Sequence, residues 1–362
     1  MANNNENKIL NVPPLRFPEF TGEWQCKAIE KVAPLQRGFD LPTQNLVEGI
    51  YPVIYSNGIL QHHDKYKCEA PGLITGRSGT IGKFTYIDSG FYWPHNTSLW
   101  VTDFCGNCPK FIYYLYQTVH IEQFSTGSGV PTLNRNDVHR YKTSVPTAIV
   151  EQEKIAKFLS ILDERIVTQN KIIDKLQSLI KGINCKIFAL IQGNEYRLGD
   201  IATITNGNSN VQDASVEYRV GLYPFFDRSE DVKYLPTFLF DKESIIYPGE
   251  GTEFMPRYYN GKFALHQRCY AICDFNEAVN PQFLYFFLKT QNSYFIRNAV
   301  GSTVPSLRLD TFQKLKVVIP SKETQYSVYS FLSTLEQKLD VENSIMKMLL
   351  CQKRYLLRQM FI

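Results

Sequence analysis

The sequence predicts an α+β chain: two tandem globular modules related by pseudo-two-fold symmetry, separated by two long helices that form an antiparallel coiled coil. Three observations carry this. The chain aligns with itself at an offset near 172; each copy has about 120 residues of short apolar and aromatic runs broken by Gly, Pro and Asn; and each copy ends in a long stretch of helical periodicity. Residues 1–14 are expected to be disordered, 15–146 to form the first module, 147–192 the central helix, 193–320 the second module and 321–362 the C-terminal helix.

Composition sets the outer bounds. With 362 residues, 44% hydrophobic and 20% charged, the chain can bury real cores, which excludes collagen, rods and disordered tails. No apolar run approaches the roughly 20 residues of a membrane helix, and Met1 to Asn11 is Asn-rich rather than a signal peptide. No membrane partner and a cytoplasmic location are expected. Eight cysteines are too sparse for a disulfide framework. The CxxC at Cys105 and Cys108 lacks a second pair, so no metal site is expected, and Cys269 and Cys273 read as core cysteines. A net charge of +4 permits a nucleic-acid partner without demanding one.

The duplication is specific. Pro109 to Thr118 (PKFIYYLYQT) lies over Pro281 to Thr290 (PQFLYFFLKT). At the same offset Trp24 meets Tyr196, Ile29 meets Ile201, Leu73-Ile74 meets Ile245-Ile246 and Gly79-Thr80 meets Gly251-Thr252. Small indels then bring His95-Asn96 onto His266-Gln267, Gly127 to Leu133 onto Gly301 to Leu307, Pro146 onto Pro320 and Phe158 to Ser160 onto Phe331 to Ser333. The period far exceeds that of solenoid repeats, so the result is two domains rather than an array.

The helical stretches carry seams. Ile155, Leu159, Leu162, Ile166, Gln169, Ile173 and Leu176 alternate spacings of four and three, as a coiled coil requires, and Leu332, Leu335, Leu339, Glu342, Met346 and Leu349 follow in phase. The second helix begins where the second module ends, so its simplest partner is the first helix, running antiparallel. Gln169 and Glu342 hold the same rank in the two seams, and are expected to hydrogen-bond and fix register, unless they are solvent-facing breaks.

The opening Leu15 to Phe20 (LRFPEF) with Glu23-Trp24, the two modules, and Pro146 followed by Glu151 to Leu159 (EQEKIAKFL) and Leu162-Asp163 resemble the specificity subunit of type I restriction-modification enzymes over nearly the whole chain. The resemblance implies two target-recognition domains, each reading half of a split double-stranded DNA sequence. It also implies helices that set the spacing and dock two methyltransferase (modification) subunits, with restriction/translocase subunits joining through the complex. S-adenosylmethionine, ATP and Mg would belong to those partners, and no cofactor to this chain. The second copy departs from the pattern, with Glu323-Thr324-Gln325-Tyr326 in place of the cleaner Glu-Gln run. Ile155 to Ile187 spans roughly 48 Å at ~1.5 Å per residue, close to fourteen base-pair steps of ~3.4 Å, so the helices are expected to act as a ruler.

DNA reading needs phosphate contacts for position and base-edge contacts for sequence. Three clusters of suitable residues recur. The first holds Thr75, Arg77, Ser78, Thr80 and Lys83, aligned with a stretch containing Thr252; Phe84 after Lys83 excludes a P-loop, and a plain turn between strands is the rival reading. The second is His95-Asn96 against His266-Gln267-Arg268, where Asn or Gln suits adenine and Arg suits guanine, and a structural histidine is the rival. The third is Ser128 with Arg135 against Ser302, Thr303 and Arg308, where a capping turn is the rival. Arg37, Asn206 and Asn208 follow the first strand of each module. Equal scaffolds with unlike loops imply an asymmetric bipartite target.

No catalytic constellation is present. There is no Asn-Pro-Pro-Tyr-like methyltransferase motif, no nucleotide-binding glycine fingerprint and no convincing nuclease carboxylate cluster, so the chain is expected not to be an enzyme. A scaffold whose modules bind protein or glycan through the 14% aromatic residues is the alternative from another class.

Overall fold

The computed structural model describes residues 11–127 and 130–362. They form two compact units, the first running to Asn170 and including Ile345–Ile362, the second spanning Lys171–Ser344. Both long helices, Ile149–Leu190 and Lys322–Met360, are shared between the units. Each unit is therefore a module together with part of each helix. The division falls beside Gln169, buried in unit 1, and Glu342, half-buried in unit 2 with Lys338 at 3.9 Å.

In unit 1 the chain enters and leaves the module through one antiparallel pair, Gln25–Ala28 with Lys142–Val145. Pro146 has no N–H to continue that ladder, and the long helix begins three residues later. A four-stranded sheet orders Leu35–Arg37, Ser98–Val101, Gly72–Gly76 and Phe84–Ile87, and a second orders Gly58–His63, Tyr51–Tyr55, Phe91–Pro94 and Cys68–Glu69. The helix Pro109–Thr118 starts on proline, whose fixed φ suits a first turn, and buries Phe111, Ile112, Tyr114, Leu115 and Tyr116. This face packs with the seam residues Ile155, Leu159 and Leu162 and with Leu349, Leu356, Met360 and Phe361. Burying each such leucine contributes about 1.5–3 kcal/mol. Chain direction follows from two contacts: Asp163 pairs with Lys353 at 2.6 Å, whereas the earlier Glu151 holds Trp24, whose ring meets Phe361. Within this unit the helices are antiparallel.

The leader is anchored nearer the terminus than expected. The Asn11 amide donates to the Trp24 carbonyl at 2.7 Å and to Ser144 at 3.1 Å, and Pro13 is buried, so residues 11–14 belong to the module.

Unit 2 repeats the plan with Asn194–Arg197 pairing Lys316–Ile319 and a six-stranded sheet in the order Thr203–Asn206, Cys269–Cys273, Phe240–Pro248, Arg257–Leu265, Tyr223–Phe226 and Lys233–Leu235. One strand, Arg257–Leu265, does the work of two in unit 1, where the chain breaks at 88–90 between Phe84–Ile87 and Phe91–Pro94. That continuity merges two sheets into one. The helix Pro281–Lys289 is capped by Asn280, which accepts from the Phe283 N–H at 2.9 Å. Leu332 is fully buried and Ile173 nearly so, while Leu176, Leu335, Leu339 and Glu342 are half-buried, as are Ile166 and Met346 in unit 1.

A buried glutamine recurs in both copies. Gln152 accepts from the Cys108 N–H at 2.8 Å and donates to the Pro146 carbonyl at 2.9 Å; Gln325 accepts from the Asn280 N–H at 2.7 Å and donates to the Pro320 carbonyl at 2.9 Å. Gln325 is thus the counterpart of Gln152, and the second-copy pattern differs at Thr324, which replaces Glu151. The early register also needs correcting. The Ile29 N–H bonds the Tyr141 carbonyl and the Leu198 N–H bonds the Leu315 carbonyl, so Ile29 corresponds to Leu198 rather than Ile201, and Trp24 to Gly193 rather than Tyr196.

Candidate nucleic-acid interface

In unit 1 the three sequence clusters converge on one loop edge. The strand Gly72–Gly76 runs into Arg77, whose N–H donates to the Thr97 carbonyl at 2.9 Å and whose carbonyl accepts from the Leu133 N–H at 2.8 Å. Ser78 bridges Thr132, and the Gly79 N–H donates to the Pro131 carbonyl at 3.3 Å. A Cβ on Gly76 would lie 2.5 Å from the Thr80 carbonyl oxygen, so the tight turn requires glycine there. Beside this edge lies a cavity of about 620 Å³ lined by Arg37, Arg77, Arg135, Thr126, Asn134 and Asp40. Positive charge dominates it, and Asp40 tempers it by pairing with Arg37 at 3.1 Å.

Individual candidates fare differently. Thr75 is buried within its sheet, its hydroxyl without a hydrogen-bond partner among the described residues, and cannot touch a phosphate there; the strand has both faces covered. The Thr80 hydroxyl donates to the Ser56 carbonyl at 2.8 Å. Lys83 is exposed and does not line the arginine cavity. His95 packs on Tyr55 with centroids 4.2 Å apart and Nδ1 3.0 Å from the Thr97 hydroxyl, and burial pushes its pKa down, so it is neutral near pH 7. Asn96 donates its amide to Asp40. Ser128 lies outside the described residues.

Unit 2 builds the same edge from other side chains. Here the Leu307 N–H donates to the Gly249 carbonyl at 2.8 Å, the Gly251 N–H to the Pro305 carbonyl at 3.0 Å, and Glu250 bridges Ser306. A cavity of about 600 Å³ is lined by Arg228, Lys233, His266, Gln267 and Arg268, with Asp227 and Glu250 among them. Arg268 donates to both Glu250 oxygens at 2.7 and 3.0 Å. Burial alone would raise the Asp227 pKa, but Lys233 at 2.6 Å and bonds from Ser229 hold it below the usual carboxylate value. Burial lowers the His266 pKa as it does that of His95.

Thr252 lines an adjoining cavity of about 740 Å³ with Arg257. Asn206 and Asn208 are exposed; Asn206 donates to the Gln267 carbonyl at 3.4 Å, and Asn208 accepts from Ser209. Ser302, Thr303 and Arg308 are exposed but line neither unit 2 cavity. Arg228, Lys233, Arg257 and Asp40 escaped the sequence reading. Arg228 stands where Ser56 stands in the first copy, because the His95 N–H bonds the Ile54 carbonyl and the His266 N–H the Phe226 carbonyl, but the two copies share no residues there. The run Asp227-Arg228-Ser229 after an aromatic strand was the available signal.

Among the described residues no group of three or more His, Cys, Asp or Glu is placed to hold a metal ion, and no helix is long and apolar enough to cross a membrane. The features define a duplicated recognition scaffold, with one basic loop edge in each copy. The chain belongs to the family of the type I restriction modification DNA specificity domain, which matches residues 21–178 and again 193–349. It is 30% identical over 138 residues to the Escherichia coli type I restriction enzyme EcoDI specificity subunit, a match covering 38% of this chain and only 30% of that relative. Its fold is similar to the S subunit of a type I restriction-modification system from M. genitalium, with TM-score 0.66 and 20% identity over 97% of this chain and 99% of the other. A chain from a type I R-M system, solved in a study of complex assembly and conformational transition, is similar with TM-score 0.57 and 13% identity over 95% and 98% of the two chains.

Proposed function

We propose that this chain is the non-catalytic, DNA-reading subunit of a type I restriction-modification complex, working in the cytoplasm. Each module reads one half of an asymmetric bipartite duplex target. The long helices dock two methyltransferase subunits, through which restriction/translocase subunits join, and S-adenosylmethionine, ATP and Mg are bound by those partners. The observation that carries the reading is the recurrence of a basic cavity at the same loop edge in both modules, lined by different side chains. Glycines bring backbone close at that edge, arginines supply phosphate or guanine contacts, and amides supply base-edge donors and acceptors. Unlike side chains on like scaffolds favour two unlike half-sites.

The test is methylation mapping at single-base resolution in cells expressing this chain with its neighbouring methyltransferase subunit, against the methyltransferase alone. One new split, asymmetric motif is expected, and exchanging residues 24–146 for those of a relative should change only one half of it. A complex that forms without generating any motif would favour a scaffold whose modules bind protein or glycan.

A further inference from the structure

We propose that Asp40 and Asn210 are positioning residues that set the amides of Asn96 and Gln267 as matched readers of an adenine edge, one in each module. The inference rests on the DNA-reading function above and adds which side chains do the reading, and how they are held.

The two sites are equivalent by backbone, not by residue type. Arg37 pairs in register with Leu99 and Asn206 with Tyr270, at the ends of corresponding strands. The next residue is glycine in both: the Gly38 N–H donates to the Ser98 carbonyl and the Gly207 N–H to the Cys269 carbonyl, and a Cβ would lie 2.2 Å from the His95 oxygen or 2.5 Å from the His266 oxygen. Phe39 bridges His95, and Ser209 bridges His266. Asp40 and Asn210 follow. The Asp40 Oδ1 accepts from Asn96 Nδ2, and the Asn210 Oδ1 accepts from Gln267 Nε2 at 3.0 Å. Behind them Arg37 Nε and Asn206 Nδ2 each donate, at 3.4 Å, to the main-chain carbonyl of Asn96 or Gln267.

Three side chains differ between the copies, Arg37 for Asn206, Asp40 for Asn210 and Asn96 for Gln267, and both side-chain bonds recur. A turn that merely had to close is already closed by its glycine and main-chain bonds. What the extra bonds add is control of an amide. Each reader spends one N–H on its latch, and among the described residues its carbonyl oxygen accepts no bond and its second N–H donates none. One free donor beside one free acceptor is the complement of adenine N7 and N6 in the major groove. The copies differ in how firmly the amide is set. An ionised Asp40 only accepts, so Asn96 must turn its nitrogen inward, whereas Asn210 accepts in one of its two flip states.

The experiment uses the full chain assembled with its methyltransferase subunits and measures discrimination at every target position, with the salt dependence of non-target duplex binding as a second readout. Asp40→Ala is expected to lower discrimination at one A·T position of the half-site read by the first module, on the order of tenfold. It should tighten binding to non-target duplex and steepen its salt dependence by about one ion, because Arg37 loses its carboxylate. Asp40→Asn, which recreates the unit 2 pairing, should restore most of the discrimination. Asn96→Ala should relax the same position, and Asn210→Ala one A·T position of the other half-site. Asp40 is 69% exposed, so thermal unfolding should not move. Unchanged discrimination in Asp40→Ala, relaxation of both half-sites together, or relaxation at a G·C position would overturn the latch while leaving DNA reading intact. A wild-type complex with no motif would overturn both.

Discussion

Removing Arg16 should destabilise unit 1 far more than loss of an ordinary surface ion pair. The Glu151 carboxylate is 2% exposed and Arg16 13%; the guanidinium reaches both oxygens, Nε to Oε1 at 2.7 Å and Nη2 to Oε2 at 2.8 Å, and Trp24 Nε1 donates to Oε1 at 3.0 Å. Arg16→Ala leaves that carboxylate buried with only the indole N–H of the three donors. Breaking a buried pair by removing one partner costs about 3–5 kcal/mol, against about 0–1 for an exposed pair. Replacing both partners by methionine removes the uncompensated charge, so the double variant should recover most of the loss. The assay is urea unfolding followed by tryptophan fluorescence. All three tryptophans, Trp24, Trp93 and Trp100, lie in the first module, so the signal reports unit 1 alone. An Arg16→Ala loss below about 1 kcal/mol, or a double variant no better than the single, would refute the reasoning.

Three further outcomes are expected. Gln152→Ala and Gln325→Ala each strand a partly buried N–H and a buried proline carbonyl, and should cost about 2–3 kcal/mol, read by hydrogen exchange as loss of protection in Pro109–Thr118 or Pro281–Lys289 respectively and not in both. His139 accepts the Leu35 N–H at 2.9 Å and burial lowers its pKa; the unfolded chain then binds more protons as pH falls below about 6.5, so the urea midpoint of unit 1 should drop through that window, and His139→Gln should flatten the drop except for the part due to His95. Arg77→Ala and Arg268→Ala should each weaken duplex binding by the assembled complex and reduce its salt slope by about one, Arg268→Ala the more because it leaves the Glu250 carboxylate uncompensated at the edge.

The duplication and the helical seams were legible because both are core patterns. Leu159 and Leu332 are fully buried where the four-three spacing put them, and the loop matches Pro131 with Pro305 and Leu133 with Leu307 land on equivalent main-chain partners. Legibility failed where geometry and residue type part company. Thr75 looked like a loop hydroxyl, but both faces of its strand are covered. The unit 2 departure looked like loss of the Glu-Gln pattern, whereas Gln325 keeps every role of Gln152 toward the proline carbonyl and the helix start, and the real loss is the anchor at Thr324. The three-residue slip at Ile29 arose because indels early in the copy leave apolar residues in phase at either offset.

That separation of scaffold from side chain also decides how charge reaches the interface. The main-chain bonds equate Arg77 with Gly249 and, through the paired histidines, Thr97 with Arg268. In the first copy Arg77 lies against the Thr97 carbonyl; in the second, Gly249 lets the Arg268 carbonyl approach so closely that a Cβ would stand 1.9 Å from it. One arginine is present at this pair in each module, but on opposite members of it. A guanidinium on a flexible stem can serve one spot from either of two neighbouring main-chain positions, whereas its orienting partner changes with its origin: Glu250 holds Arg268, and Ser78 at the equivalent place offers Arg77 no carboxylate. These arginines therefore cannot be carried between the copies position by position, although the Asn96 and Gln267 amides can. A Cβ at residue 249 would collide with the Arg268 carbonyl, so the exchange is open only in the first copy: Arg77→Gly with Thr97→Arg should keep the charge at the edge, and the half-site preference of the first module should change while its overall affinity holds.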